Sequence, residues 1–353
     1  MWELSHQHLR NQLTVSYYLF RRSHNRYILG QVSNSVFNDM QSYSLIAPAK
    51  INLYLEIIGD RPDGFHELVM IMQSVSLADR IDLQPSDTEN IKIYCDHPQV
   101  PTDKTNLAYR AAQLMCDTFP QMYANYGGVS IRIEKNIPVA AGLAGGSGNA
   151  AAVLVGINLL WKLGLTQPEL QDLAAELGSD IPFCVSGGTA IATGRGEKLD
   201  ALQALKNIWV ILAKYDHISV STPWAYTTYR QQYSDTYVSD TAGVKSRTAK
   251  VSSGSLFKAI SHHENSEIGK LIHNDLEKIV LPAYPQVAEL KAAFAAQDVL
   301  GTMMSGSGPT VFALCASEAQ ASAVQQAVRT QIADPQLQFW LTKLITKGIQ
   351  IKS

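Results

Sequence analysis

The sequence predicts an α+β protein of two domains. Its 353 residues are too many for one comfortable core. Segments of period-two alternation are mixed along the chain with segments of helical period. The balance of 46% hydrophobic to 17% charged residues is that of a folded globular chain.

Residues 1–39 stand apart, with Arg10, Arg21, Arg22 and Arg26 against only Glu3 and Asp39. An acid-poor, basic leader can address a chain to an organelle, which would here mean a plastid. The lack of a helical arginine stripe favours an unstructured extension, or translation starting at Met40, and a cytoplasmic location. The folded part opens at Ser44–Ile58, where Ile51, Leu53, Leu55 and Ile57 alternate with Asn52, Tyr54 and Glu56. Pro48 predicts two short strands or a bend there. Arg61-Pro62-Asp63-Gly64 has the composition of a turn. Strands follow at Val69–Leu83 and Asn90–Cys95, a helix at Asn106–Phe119, and a strand at Val129–Glu134.

After a glycine-rich loop, an apolar helix is expected over Asn149–Leu163, ended by Gly164. Thr166 and Glu169 form a capping box for a second helix that runs to Leu177 and stops at Gly178. Val185–Ala192 and Trp209–Lys214 read as strands, separated by the turn at Gly194-Arg195-Gly196. Residues 234–255, rich in Ser, Thr, Asp, Gly and Lys, read as a mobile surface loop. Helices at Ser255–Leu271 and Pro285–Gln297, a loop and strand at Thr302–Cys315, a helix at Glu318–Ile332 and a strand at Phe339–Thr346 complete the chain.

With 29 basic and 31 acidic side chains the formal charge is −2, which argues against a nucleic-acid partner. Cys95, Cys116, Cys184 and Cys315 have neither metal-site nor disulfide-framework spacing. The longest apolar run, Ala150–Trp161, is too short to span a bilayer, so no membrane partner is expected. His262 and His263 lack metal-ligand spacing and read as solvated helix positions.

The chemistry concentrates in Pro138-Val139-Ala140-Ala141-Gly142-Leu143-Ala144-Gly145-Gly146-Ser147-Gly148-Asn149-Ala150-Ala151. Glycines let backbone N–H groups converge on one point, and the helix that follows adds unpaired donors and a positive dipole end. A lone glycine cluster is as readily a linker or a packing contact, but strand before and helix after favour a polyphosphate cradle. Neither a Walker A loop nor a dinucleotide fingerprint is present.

This segment resembles the signature of the galactokinase, homoserine, mevalonate and phosphomevalonate (GHMP) kinases. Ala47-Pro48-Ala49-Lys50-Ile51-Asn52-Leu53 and Met303-Met304-Ser305-Gly306-Ser307-Gly308-Pro309-Thr310 resemble its other two motifs, in the family's order. The resemblance covers residues 40–350. It implies a ribosomal-protein-like N-terminal domain over 40–205, a ferredoxin-like C-terminal domain over 206–353, and an active site in the cleft between them. It also implies ATP and Mg2+, with the metal ligands unassigned because Gly148 stands where many relatives carry a second hydroxyl. A small-molecule acceptor is the expected partner, for a monomer or weak homodimer.

Pro48-Ala49-Lys50-Ile51-Asn52-Leu53, Arg61-Pro62-Asp63-Gly64-Phe65-His66 and Leu177-Gly178-Ser179-Asp180-Ile181-Pro182-Phe183 are similar to the branch that phosphorylates the 2-hydroxyl of a cytidine-diphosphate-linked methylerythritol. The resemblance places Lys50 and Asp180 at the acceptor as the catalytic pair. Taken singly, they would read as a surface lysine and a loop acid. It assigns Pro138, Ala140, Gly142 to Gly148 and Asn106 to ATP, and Asn52, Phe65, His66, Tyr226, Ser305 and Gly306 to the substrate. Phe65 can equally be a core aromatic and Asn106 a helix N-cap. A sister kinase of the same fold, or a sensor that binds without turnover, remains a competing reading.

Overall fold

The computed structural model describes residues 19–22, 25–28, 41–86 and 90–352. Within 1–39 two short strands, Leu19–Arg22 and Asn25–Ile28, pair antiparallel where the sequence suggested no element. The rest of the expected extension lies outside the described residues.

The architecture rests on one long hairpin, Tyr43–Asp60 with His66–Pro85, closed by the expected turn. Pro48 does not split its strand. It lies at the first of three register shifts, where a bulge removes the need for the N–H that proline lacks. The hairpin is the spine of an eight-stranded sheet. Val129–Glu134 pairs with one half of its second strand and Thr189–Gly194 with the other. Lys198–Ala201 adds to the latter, so Gly194-Arg195-Gly196 is the turn of a hairpin that the sequence did not suggest.

A second, four-stranded antiparallel sheet orders Gly301–Met304, Val311–Cys315, Trp209–Tyr215 and Leu337–Lys343. Leu55, Ile57, Met70 and Met72 of the large sheet share a hydrophobic cluster with Ile211, Ala213, Met304 and Val311 of the small one. That shared packing fixes how the two sheets meet, and the cavity described below lies where their loops converge.

Several expectations need correction. The glycine-loop helix spans Gly145–Leu160, beginning four residues before Asn149, because Ala144 adopts a left-handed conformation that starts it inside the loop. Val185 belongs to a short helix, Ile181–Ser186, rather than a strand. Pro182 suits its first turn, and Gly187 and Gly188, both with positive φ, delay the strand to Thr189. His263, with φ 57, divides the helix expected over Ser255–Leu271 into Ser255–Ser261 and Asn265–Leu271. A further helix, Glu277–Ala283, was not expected.

The stretch expected as a loop near 234–255 contains the helix Thr241–Ser252, with Asp240 accepting the Gly243 N–H at 2.7 Å. The Val238 N–H donates to the Ile58 carbonyl, and Arg247 bridges Glu56 and the Thr236 carbonyl. Composition understated this segment because Val251 is buried in one hydrophobic cluster, with Val238 and Val244 packed against it. Other elements stand close to their expected bounds, among them Leu107–Thr118, Val129–Glu134 and Glu318–Ile332. The Thr166 N–H donates to the Glu169 carboxylate at 2.8 Å, as the capping box requires.

Asp275 ties the second half of the chain to the spine. Its carboxylate accepts from the Ile57 N–H, Lys278 and His273 at 2.9, 2.8 and 3.1 Å. Burial alone would raise its pKa, but the hydrogen bonds from His273, Lys278 and Ile57 outweigh that and bring it from 3.8 to about 2. A depressed carboxylate stabilises the fold above its unfolded pKa and loses that contribution as pH falls through the folded value. Asp275→Asn is therefore expected to cost on the order of 2 kcal/mol at neutral pH. Urea melts should show the wild-type advantage vanishing between pH 3.8 and about 2, and an unchanged difference across that window would disprove the assignment.

Candidate active site

A cavity of about 820 Å³ opens between the hairpin, the glycine loop, the start of helix Ile181–Ser186, helix Thr222–Tyr233 and the loop after Met304. From the hairpin, Lys50, Asn52, Phe65 and His66 line it. The glycine segment contributes Pro138, Ala140 and every residue from Gly142 to Ser147. Asn106, Asp180, Tyr226 and Gly306 complete the set that sequence reasoning had named.

Two expected contacts fall outside it. Gly148 is buried, and a side chain there would face the Pro48 carbonyl and Ala47. Its N–H donates to the Ala144 carbonyl within the helix. A second hydroxyl at 148 would therefore point at the strand and not at a phosphate. Ser305 is fully buried, and its hydroxyl donates to the Gly142 carbonyl at 3.0 Å. It fastens one glycine loop to the other.

Lys50 sits where the register shift turns it toward the cavity, and its backbone N–H donates to the Leu143 carbonyl. Its ammonium donates to Asn52 Oδ1 at 2.6 Å and lies 3.5 Å from Asp180 Oδ2. The lysine side chain is 5% exposed and the aspartate 33%. A nearly buried cation thus meets a carboxylate that solvent and ligand can reach, and Asn52, itself fully buried, fixes the ammonium's direction.

The glycine loop is shaped by left-handed residues at Ala140, Gly142 and Ala144, with φ of 50, 72 and 56. Since Gly148 is the first residue to donate within the helix, the helix itself offers no partner for the N–H groups of Gly145, Gly146 and Ser147. These donors and the dipole end suit a polyphosphate. Beneath them lies a network that sequence reasoning missed. Buried Asp79 accepts from the Asn136 and Ile137 N–H groups at 2.8 Å, from Asn149 at 2.7 Å and from the Lys135 ammonium. A side chain on Gly145 would collide with that ammonium. The available signal was an acid at position 79 inside a strand, where an unpaired carboxylate is costly.

At the other end, Phe65 is 49% exposed, so it is no core aromatic. Its neighbour His66 is buried, with its ring 5.1 Å from Tyr226 and edge-on to Tyr237. Burial, then the nearby Arg230 cation, lower the His66 pKa, while Asp60 opposes them. His66 Nε2 is buried without a hydrogen-bond partner among the described residues. Arg230 holds the turn beneath by bonding Asp60 and the Gly64 carbonyl. Asn106 caps its helix, its Oδ1 accepting from the Ala108 N–H at 2.8 Å, while it lines the cavity.

A glycine loop suited to polyphosphate, a lysine–aspartate pair beside it and an aromatic recess beyond suit a small-molecule kinase, and the comparisons agree. The GHMP kinases N terminal domain matches residues 106–188, and the GHMP kinases C terminal domain residues 256–334. The 4-diphosphocytidyl-2-C-methyl-D-erythritol kinases of Gloeothece citriformis and Nostoc punctiforme are each 62% identical to this chain. Both alignments cover 89% of it and 99% of the relative. A crystal structure of 4-(cytidine 5'-diphospho)-2C-methyl-D-erythritol kinase is similar at TM-score 0.65 and 30% identity, covering 85% of this chain and 98% of that one. The chain belongs to the GHMP kinases, in their 4-diphosphocytidyl-2-C-methyl-D-erythritol kinase family.

Proposed function

We propose that the protein transfers the γ-phosphate of ATP to the 2-hydroxyl of 4-diphosphocytidyl-2-C-methyl-D-erythritol, a step toward isopentenyl diphosphate. The observation that carries this reading is the placement of the Lys50–Asp180 pair between the glycine cradle and the His66 recess, within one cavity.

ATP lies with its phosphates on the N–H groups of Gly145, Gly146 and Ser147, beside Lys135. The acceptor hydroxyl lies against Asp180. As its oxygen bonds to the γ-phosphorus, the proton passes to the Asp180 carboxylate, the bond to the β-phosphate oxygen breaks and ADP leaves. Lys50, held by Asn52, orients the hydroxyl and offsets the charge that develops on the transferred group. Mg2+ takes most of its ligands from phosphates and water and needs one or two protein oxygens. The Ser147 hydroxyl lines the cavity and fits that need, and the ion would neutralise charge on the phosphates. No cluster of three acidic, His or Cys side chains exists among the described residues, which accords with an ion held mainly by its nucleotide.

His66 Nε2, which lies 3.7 Å from Asp60 Oδ1 but makes no hydrogen bond among the described residues, bonds the edge of the cytosine, whose face rests on Phe65, with Tyr226 closing the recess. Because burial lowers the pKa of His66 from 6.5, the ring is mostly neutral at neutral pH and takes up its proton as pH falls through the lowered value. The KM for the cytidyl substrate should rise with acid through a transition whose midpoint lies below pH 6.5, and a midpoint above 6.5 would contradict the assignment.

No helix of the described residues is long and apolar enough to cross a membrane, and we place the enzyme in the cytoplasm as a monomer or weak homodimer. Coupled ADP release with Mg-ATP and four acceptors tests the substrate. The cytidyl compound should be turned over far faster than mevalonate, homoserine or galactose. Preference for any of the other three would defeat the reading, and binding without ADP release would indicate a sensor.

A further inference from the structure

The turn Gly194-Arg195-Gly196 lies outside every motif that the reaction uses, yet the sheet register carries it into the site. Gly194 pairs with Leu68, two residues from His66. A side chain on Gly196 would meet Met70 and Ser179, the residue before Asp180. Arg195 therefore stands between the recess at Phe65 and His66 and the acceptor group at Asp180, and it lines the cavity.

Its guanidinium is fixed from two sides. One nitrogen donates to the Ala175 carbonyl at 2.6 Å. The guanidinium also lies over the Phe65 ring, 5.1 Å from its centroid, within cation–π range. The bond to Ala175 uses one of the five N–H donors that an arginine carries. Its guanidinium bonds a neutral carbonyl, with the Glu197 carboxylate taking the Arg195 backbone N–H and Asp63 near enough to feel its charge, whereas each of the other cations lining the cavity is within ion-pair distance of a carboxylate. Lys50 faces Asp180, Lys135 faces Asp79 and Arg230 faces Asp60.

We propose that Arg195 is a substrate-binding residue. It holds the anionic diphosphate that joins the base end of the substrate to its alcohol end, while its planar face braces Phe65 for stacking on the base. A fork of donors suits phosphate oxygens, and a guanidinium plane suits an aromatic ring. This rests on the cytidyl reading of the cavity.

The test is calorimetric titration of cytidine and of CDP, with the ATP half of the cavity filled by a non-hydrolysable ATP analogue. Wild-type protein should bind CDP more tightly than cytidine. Arg195→Met should lose about 10- to 100-fold in CDP affinity and only a few-fold in cytidine affinity, with a Tm without ligand lowered no further than loss of the Ala175 bond explains. Arg195→Lys, which keeps the charge without the fork, should recover part of the loss. Wild-type protein that binds neither ligand contradicts the cytidyl reading and the proposal with it. Wild-type protein that binds both, with Arg195→Met losing nothing or losing equally for each, overturns the proposal alone.

Discussion

Replacing Asp180 with asparagine is expected to lower kcat by roughly 100- to 10,000-fold, the usual worth of a positioned general base. KM for both substrates should move little. Asparagine keeps the shape and the position at the head of Ile181–Ser186 but cannot take a proton from the acceptor. Lys50→Ala should be similarly damaging, and the two losses should not add, because the ammonium and carboxylate stand 3.5 Å apart and serve one hydroxyl. Steady-state kinetics of both single variants and the double variant, with melting curves, separate this from unfolding. A kcat within a few-fold of wild type in folded Asp180→Asn would remove Asp180 from the chemistry and leave it a positioning role.

The second large effect is expected at Gly142. Its φ of 72 is left-handed, which costs a residue with a side chain about 1–2 kcal/mol. A Cβ there would also collide with the Ser305 carbonyl, and it would come within 3.0 Å of the Gly308 carbonyl. Both are backbone atoms, so no side chain can rotate away. Gly142→Ala must push the two glycine loops apart and break the bond from Ser305 to the Gly142 carbonyl. Because one loop is the proposed phosphate cradle and the other borders Lys50, kcat/KM should fall by at least roughly 100-fold, since a displacement of about 1 Å is enough for that. Ser305→Ala, which removes the bond without the collision, should show a much smaller loss. Equal effects in the two variants would show that the collision is not what matters.

Much of the site was legible because its residue types are unusual for where they stand. The glycine segment between a strand and a helix, and the Lys50 and Asn52 of the first motif, do line one cavity. What the sequence could not disclose came from long-range contacts. Asp79 and Lys135 are 56 residues apart and meet only because Val129–Glu134 pairs with the hairpin. Arg195 reaches Phe65 only through the pairing of Thr189–Gly194 with Leu68–Gln73. Residues 234–255 read as a loop because local composition carries no trace of Glu56, Ile58 or the pocket into which Val251 packs. The error over Gly148 has the same origin, since only the helix start at Gly145 turns that position toward Pro48.

The central claim is most directly tested by following the reaction with Mg-ATP and 4-diphosphocytidyl-2-C-methyl-D-erythritol by phosphorus NMR. A new phosphate monoester resonance should grow in step with ADP, and carbon spectra should place it on the 2-hydroxyl carbon. ADP formation without a monoester, or a monoester on a different hydroxyl, would contradict the assignment of the cavity and of the Lys50–Asp180 pair.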